Sequence, residues 1–153
     1  MPKLILTVGT SFCGKTSWAE DYISRNPNTV MLSRDDYRFN DNVTCWDDYN
    51  KDRREHEISF QIMHDFLKLL HAGKDILVCD TNLTWVAREQ WIDRAYTQGM
   101  DLEIVIFKSF VDKLVSDPYL AMSLPDYVLK HQYQRFNKFL EEETIPGVTY
   151  TIV

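Results

Sequence analysis

The sequence predicts an α/β protein with a five-stranded, mostly parallel sheet covered by helices on both faces. Three observations predict it. Five short β-rich runs recur along 153 residues, segments of helical period lie between them, and a glycine-bearing turn joins the first run to the first helix. Strands that alternate with helices pair in parallel, and the crossover helices then cover both faces of the sheet.

The strands are expected near residues 3–8, 29–33, 75–80, 102–107 and 148–153, each rich in β-branched or aromatic residues. Trp18, Ala19, Tyr22 and Ile23 mark one face of the first helix. Ile58, Ile62, Phe66 and Leu70 step by four along a longer one, which Gly73 is placed to end. A third helix is expected to start near Thr84, carry Trp91, Ile92 and Ala95, and stop at Gly99. The last begins at Pro125, a good first-turn residue, with Leu129, Tyr133, Phe136 and Leu140 as its stripe. No repeat, low-complexity tract or linker interrupts the chain, so residues 1–153 read as one domain.

Composition narrows the class. At 44% hydrophobic and 26% charged, the chain reads as an ordinary globular protein able to bury a core. No apolar run approaches the roughly 18 residues of a membrane span, and the apolar stretch at the start is too short for a signal peptide. A cytoplasmic protein with no membrane partner is expected. Cys13, Cys45 and Cys79 are odd in number and lack metal-ligand spacing, so reduced thiols are expected. A net charge of −6 argues against non-specific coating of nucleic acid, while leaving room for a narrow basic pocket.

Gly9, Thr10, Ser11, Phe12, Cys13, Gly14, Lys15 and Thr16 fit G-x-x-x-x-G-K-[ST]. The end glycines allow a tight turn whose N–H groups point at phosphate oxygens, and the helix that opens here adds its positive dipole end. Lys15 is placed to reach the β- and γ-phosphates of ATP, and the Thr16 hydroxyl to ligate Mg²⁺. The motif follows a strand and opens an amphipathic helix, the context a P-loop requires. Cys13, at a helix N-terminus, is a candidate for a lowered thiol pKa.

Two further strand ends are polar. Arg34, Asp35, Asp36, Tyr37 and Arg38 follow the second strand, and Asp80, Thr81, Asn82 and Leu83 follow the third. In a parallel sheet both emerge beside the P-loop, where ligands bind. Phosphoryl transfer to a hydroxyl needs positioning, charge neutralisation and a carboxylate to accept the proton. Asp35 or Asp36 suits the base, and Arg38 suits a forked grip on phosphate. Asp80 sits where a Walker B acid would lie, able to orient Arg38 or a metal-bound water.

These two segments, spaced in this way after the P-loop, resemble the kinase domain of phage-type polynucleotide 5′-hydroxyl kinase. The run Gly14, Lys15, Thr16, Ser17, Trp18, Ala19 extends the likeness, as do Arg88, Trp91, and Leu124-Pro125 with Val128-Leu129. The resemblance implies a P-loop kinase fold, ATP and Mg²⁺ as cofactors, residues Gly9 to Ser17 on ATP, and a nucleic-acid end or nucleotide as phosphoryl acceptor. Asp35 would be the general base, Arg38 would contact the acceptor phosphate, and Asp80 would support it alongside Lys15. Larger members add a phosphatase domain; no such domain is expected here, so the resemblance implies kinase activity alone. Whether the protein forms a homo-oligomer is left open.

The chain departs from the family at the lid. Family kinases close arginines over the phosphates between the fourth strand and the last helix, and residues 116–124 here contain no Arg or Lys. Lys113, Lys130 and Arg135 are the nearest substitutes. Tyr37, Phe39, Trp46, Tyr49 and Trp85 read mainly as packing residues with base stacking as the alternative. Residues 41–52 read as a solvated acidic loop, and Arg53, Arg54, His56 and His64 as surface. A kinase of a nucleoside, nucleotide or small alcohol, a kinase of a hydroxymethylated base in DNA, and a non-catalytic ATP-binding protein are the competing functions.

Overall fold

A computed structural model describes residues 1–38, 51–109, 111–112 and 126–153. Strands β1 (Lys3–Val8), β2 (Thr29–Leu32), β3 (Asp75–Val78), β4 (Asp101–Ile106) and β5 (Thr149–Ile152) form one sheet in the order β2-β3-β1-β4-β5. Every pairing is parallel, so the sheet is wholly rather than mostly so. Leu4 lies opposite Ile76 on one side and Leu102 on the other, and Leu6 opposite Val78 and Ile104. The first strand is therefore central, and Leu4, Ile5, Leu6 and Val8 are fully buried.

The helices are α1 (Lys15–Arg25), α2 (Arg34–Arg38), α3 (Lys51–His71), α4 (Trp85–Thr97) and α5 (Asp126–Leu140). Right-handed crossovers place α1 on one face and the three long helices α3, α4 and α5 on the other. Phe66 of α3 meets Trp91 of α4 with ring centroids 5.3 Å apart, and Arg88 of α4 lies over the Phe139 ring of α5 at 4.5 Å. On the opposite face, Trp18 and Tyr22 of α1 stack at 5.4 Å, and Trp18 meets Phe107 edge-on.

Helix ends follow the chemistry of their caps. Thr84 caps α4 by accepting the Ala87 N–H at 3.2 Å. At Gly73 and Gly99, φ values of 72° and 66° let the chain turn left-handed out of α3 and α4. The Met100 N–H then closes on the Ala95 carbonyl at 2.8 Å. The expected stripe of α5 needs one correction. Phe139 is buried and Leu140 is 37% exposed, because three residues from Phe136 return to the core face more closely than four do here. Pro125 lies outside the described residues.

Segment 34–38, the polar strand end after β2, is a short helix. Asp36 N–H donates to the Ser33 carbonyl at 3.1 Å to start the turn, and two acids in the first turn favour its positive end. Five residues are too few for any hydrophobic period to show. Among the described residues no helix is long and apolar enough to cross a membrane.

Candidate active site

Hydrogen bonds join the carboxyl ends of the three neighbouring strands. The Gly9 N–H after β1 donates to the Thr81 carbonyl after β3 at 3.1 Å, and Thr7 Oγ1 donates to the Asp80 carbonyl at 2.7 Å. The Arg34 N–H after β2 donates to Asp80 Oδ1 at 2.8 Å. The structure thus brings the P-loop, the 34–38 helix and Asp80 to one edge.

Within the loop, Phe12 and Gly14 take φ of 64° and 86°, and the N-terminus of α1 has no side-chain cap. Successive left-handed turns and uncapped N–H groups make an anion cradle. Gly9 is required for space: a Cβ there would lie 2.7 Å from Cys13 Sγ and 3.1 Å from Phe107 Cβ. Lys15 is buried, and its ammonium donates to the Thr10 carbonyl and reaches Cys13 Sγ at 3.7 Å. The Cys13 thiol is pushed up, chiefly by burial and against the pull of Lys15, which corrects the expectation of a reactive thiolate. Cys79, beside Thr16, is pushed up to about 12, again by burial first. Ser17 is exposed on the first turn of α1.

The charges that follow β2 form a network that sequence reasoning missed in part. Glu55 of α3 accepts from Arg38 Nε at 2.6 Å and from Arg34 at 2.5 Å, while Arg38 also donates to Asp35 Oδ1 at 3.0 Å. Burial opposes the Arg38 charge, but Glu55 and then Asp35 outweigh it and hold the guanidinium more firmly protonated than usual. Asp80 Oδ1 accepts the Arg34 backbone N–H, and α2 turns the Arg38 side chain towards Glu55 of α3. Burial pushes Asp80 up to about 6 despite the Arg34 N–H and the Arg38 charge. Asp36 is raised too, by burial first and then by Asp35 and Glu20.

Other expectations shift. Arg54, read as surface, donates to the Tyr37 carbonyl at 2.8 Å. Tyr37 itself donates to Asp65 at 2.5 Å, a packing role. Arg88 is buried, donating to the Asn82 carbonyl at 2.9 Å and to Glu142 at 2.5 Å, so it locks α4 to the segment after α5. His56 and His64 are exposed, as is Trp85 at 46%. Cys45, Phe39, Trp46, Tyr49, the side chain of Arg53, Lys113, residues 41–50 and the 116–124 stretch lie outside the described residues.

Mg²⁺ fits the donor set: phosphate oxygens and waters supply most of its shell, so one hydroxyl such as Thr16 with an acid nearby suffices and no cage of carboxylates is needed. Among the described residues no cluster of three ligating side chains competes with that arrangement.

Strand order, phosphate cradle and converging acids together define a P-loop kinase fold. The sequence model of the AAA domain family matches residues 4–115, and the chain belongs to that family. A chain of the Pnkp1/Rnl/Hen1 RNA repair complex superposes with a TM-score of 0.77 at 22% identity, covering 95% of this chain and 48% of that one. In a second structure of the Pnkp1/Rnl/Hen1 complex, the values are 0.60 and 26%, over 76% and 38%. A sugar kinase from Janibacter sp. HTCC2649 matches at 0.62 and 14%, over 100% and 85%. This chain therefore spans less than half the length of either repair-complex chain.

Proposed function

We propose that the protein is an ATP-dependent kinase that transfers the γ-phosphate to the 5′-hydroxyl of a polynucleotide. The observation that carries this reading is the Asp35–Arg38–Glu55 chain of contacts on the edge shared with the P-loop. It pairs a 61%-exposed carboxylate with a buttressed guanidinium, the combination a hydroxyl acceptor bearing a neighbouring phosphate needs. Asp35 accepts the hydroxyl proton as the acceptor oxygen bonds to the γ-phosphorus and the β–γ bridge breaks. Arg38 holds the acceptor's phosphate. Lys15 and the loop N–H groups of residues 9–17 meet the charge of the nucleotide. Thr16 would hold Mg²⁺, which would supply further charge neutralisation. Likeness to a repair-complex chain supports the polynucleotide as acceptor.

Transfer of labelled γ-phosphate from ATP to a panel of 5′-hydroxyl DNA, 5′-hydroxyl RNA, 3′-nucleotides and free sugars tests it. Labelling of 5′-hydroxyl ends is expected, and labelling confined to small molecules overturns the polynucleotide reading. A second reading, a kinase of a small alcohol, is favoured by the nearly full-length match to a sugar kinase; the same panel separates the two.

A further inference from the structure

Gln132, in the middle of α5, contacts the P-loop across 121 residues of sequence. Its Oε1 accepts the Ser11 backbone N–H at 2.8 Å, and its Nε2 donates to Ser11 Oγ at 3.1 Å. One amide thus grips both polar groups of a single loop residue, using its acceptor and its donor ends. The next residue, Phe12, stands at φ 64° with half its surface exposed. A non-glycine residue there is strained, and it persists only where its surroundings over-determine the backbone. The Ser11–Gln132 pair constrains the backbone directly before it.

We infer that Gln132 is a positioning residue for nucleotide binding, which presets the P-loop at Ser11 and joins it to α5 as one rigid unit. The inference rests on the reading of residues 9–16 as the ATP phosphate cradle. A cradle that is already shaped binds phosphate without first ordering its own backbone, and that ordering is a cost to affinity wherever it remains to be done. The pair also gives α5 a direct hold on the loop, so a movement of that helix is felt at the phosphates. Gln132 itself touches no reacting atom in this scheme.

The test is calorimetric titration of the full chain with ATP and ADP, parent against Gln132→Met, which keeps length and packing but has neither hydrogen-bonding end. Affinity for both nucleotides is expected to fall about 5- to 20-fold, the size of a modest ordering cost, with the melting temperature nearly unchanged. Amide hydrogen exchange in the nucleotide-free protein should accelerate at Ser11 and Phe12 and stay unchanged along β1. Ser11→Ala keeps the backbone bond, so its effect should be smaller than that of Gln132→Met. Equal or tighter nucleotide binding by Gln132→Met overturns the inference. A loss of affinity that only follows a general loss of stability does the same. Because the readout is binding and not transfer, a parent that binds ATP but phosphorylates nothing sinks the kinase reading and leaves the role of Gln132 standing.

Discussion

Glu55 holds Arg38 at 2.6 Å across the junction of α3 and α2, and it grips Arg34 with its other oxygen at 2.5 Å. One carboxylate therefore fixes two guanidiniums that would otherwise repel each other. Glu55→Ala is expected to raise the KM for the proposed polynucleotide acceptor about tenfold or more, because an unbuttressed Arg38 loses its preset direction. ATP affinity should change little, since no contact runs from Glu55 to the P-loop among the described residues. Steady-state kinetics with each substrate varied in turn would check the split; an equal effect on ATP contradicts it.

Asp35 and Asp36 are separated by about 100° on the α2 turn, not by the half-turn of an extended segment. Asp35 pairs with Arg38, while Asp36 lies towards Glu20 of α1, which helps raise its pKa after burial. Asp35→Asn should keep ATP binding and lose roughly 10²- to 10⁴-fold in transfer, the usual weight of a general base. Asp36→Asn should cost less than tenfold. Single-turnover rates at saturating ATP decide between them, and a sensitive Asp36 moves the base by one residue.

Burial holds the Asp80 carboxyl at about 6, above its ordinary 3.8. The folded protein therefore binds more protons here than the unfolded chain between about pH 4 and 6, so this group's contribution to stability is full below pH 4 and is lost as pH rises through 6. Asp80→Asn keeps an acceptor for the Arg34 N–H and has no charge to bury. Relative to the parent it should gain stability as pH rises from 4 to 7, by on the order of 2–3 kcal/mol. Urea denaturation of both proteins across that range gives the difference directly, and a difference of opposite slope refutes the assignment.

The first glycine of the loop gives a steric prediction. Gly9→Ala forces a methyl group to within 2.7 Å of Cys13 Sγ and 3.1 Å of Phe107 Cβ. Overpacking of this kind costs about 1–3 kcal/mol, and the loop should also lose nucleotide affinity. Adding Cys13→Ala removes the nearer clash and should restore part of the stability. Denaturation midpoints of the single and double variants measure it; an undamaged Gly9→Ala would mean that the loop relaxes freely.

Much of this site was legible in the sequence because its signals are local. Gly9 to Thr16 are consecutive, and the five strands announce themselves by β-branched runs that end at the same sheet edge. What escaped was non-local. Glu55 meets Arg38 from 17 residues away, and Gln132 meets Ser11 from 121; on their own helices both look like solvated polar residues. Arg88 escaped for the opposite reason. A charged side chain reads as surface or as ligand, yet Asn82, Glu142 and the Phe139 ring satisfy it in the interior.

The arginine-free stretch 116–124 leaves the charge of the transferring group to be met from elsewhere, and α5 narrows the choice. Gln132 shows which side of that helix faces the P-loop. Lys130 lies two residues back, about 200° around the helix, and is exposed on the far side. Arg135 lies three residues on, one turn away and about 60° off the same face, with a side chain long enough to bend towards the edge. Arg135, not Lys130, is therefore the expected substitute on this helix. Arg135→Ala should slow single-turnover transfer by about tenfold or more, the lower end of what a finger arginine contributes, while Lys130→Ala leaves the rate within about twofold. Placing arginine in the stretch itself, as Leu120→Arg or Met122→Arg, should raise the rate of the parent and rescue Arg135→Ala in part. If both alanine variants match the parent and neither added arginine changes the rate, the developing charge is met without this helix.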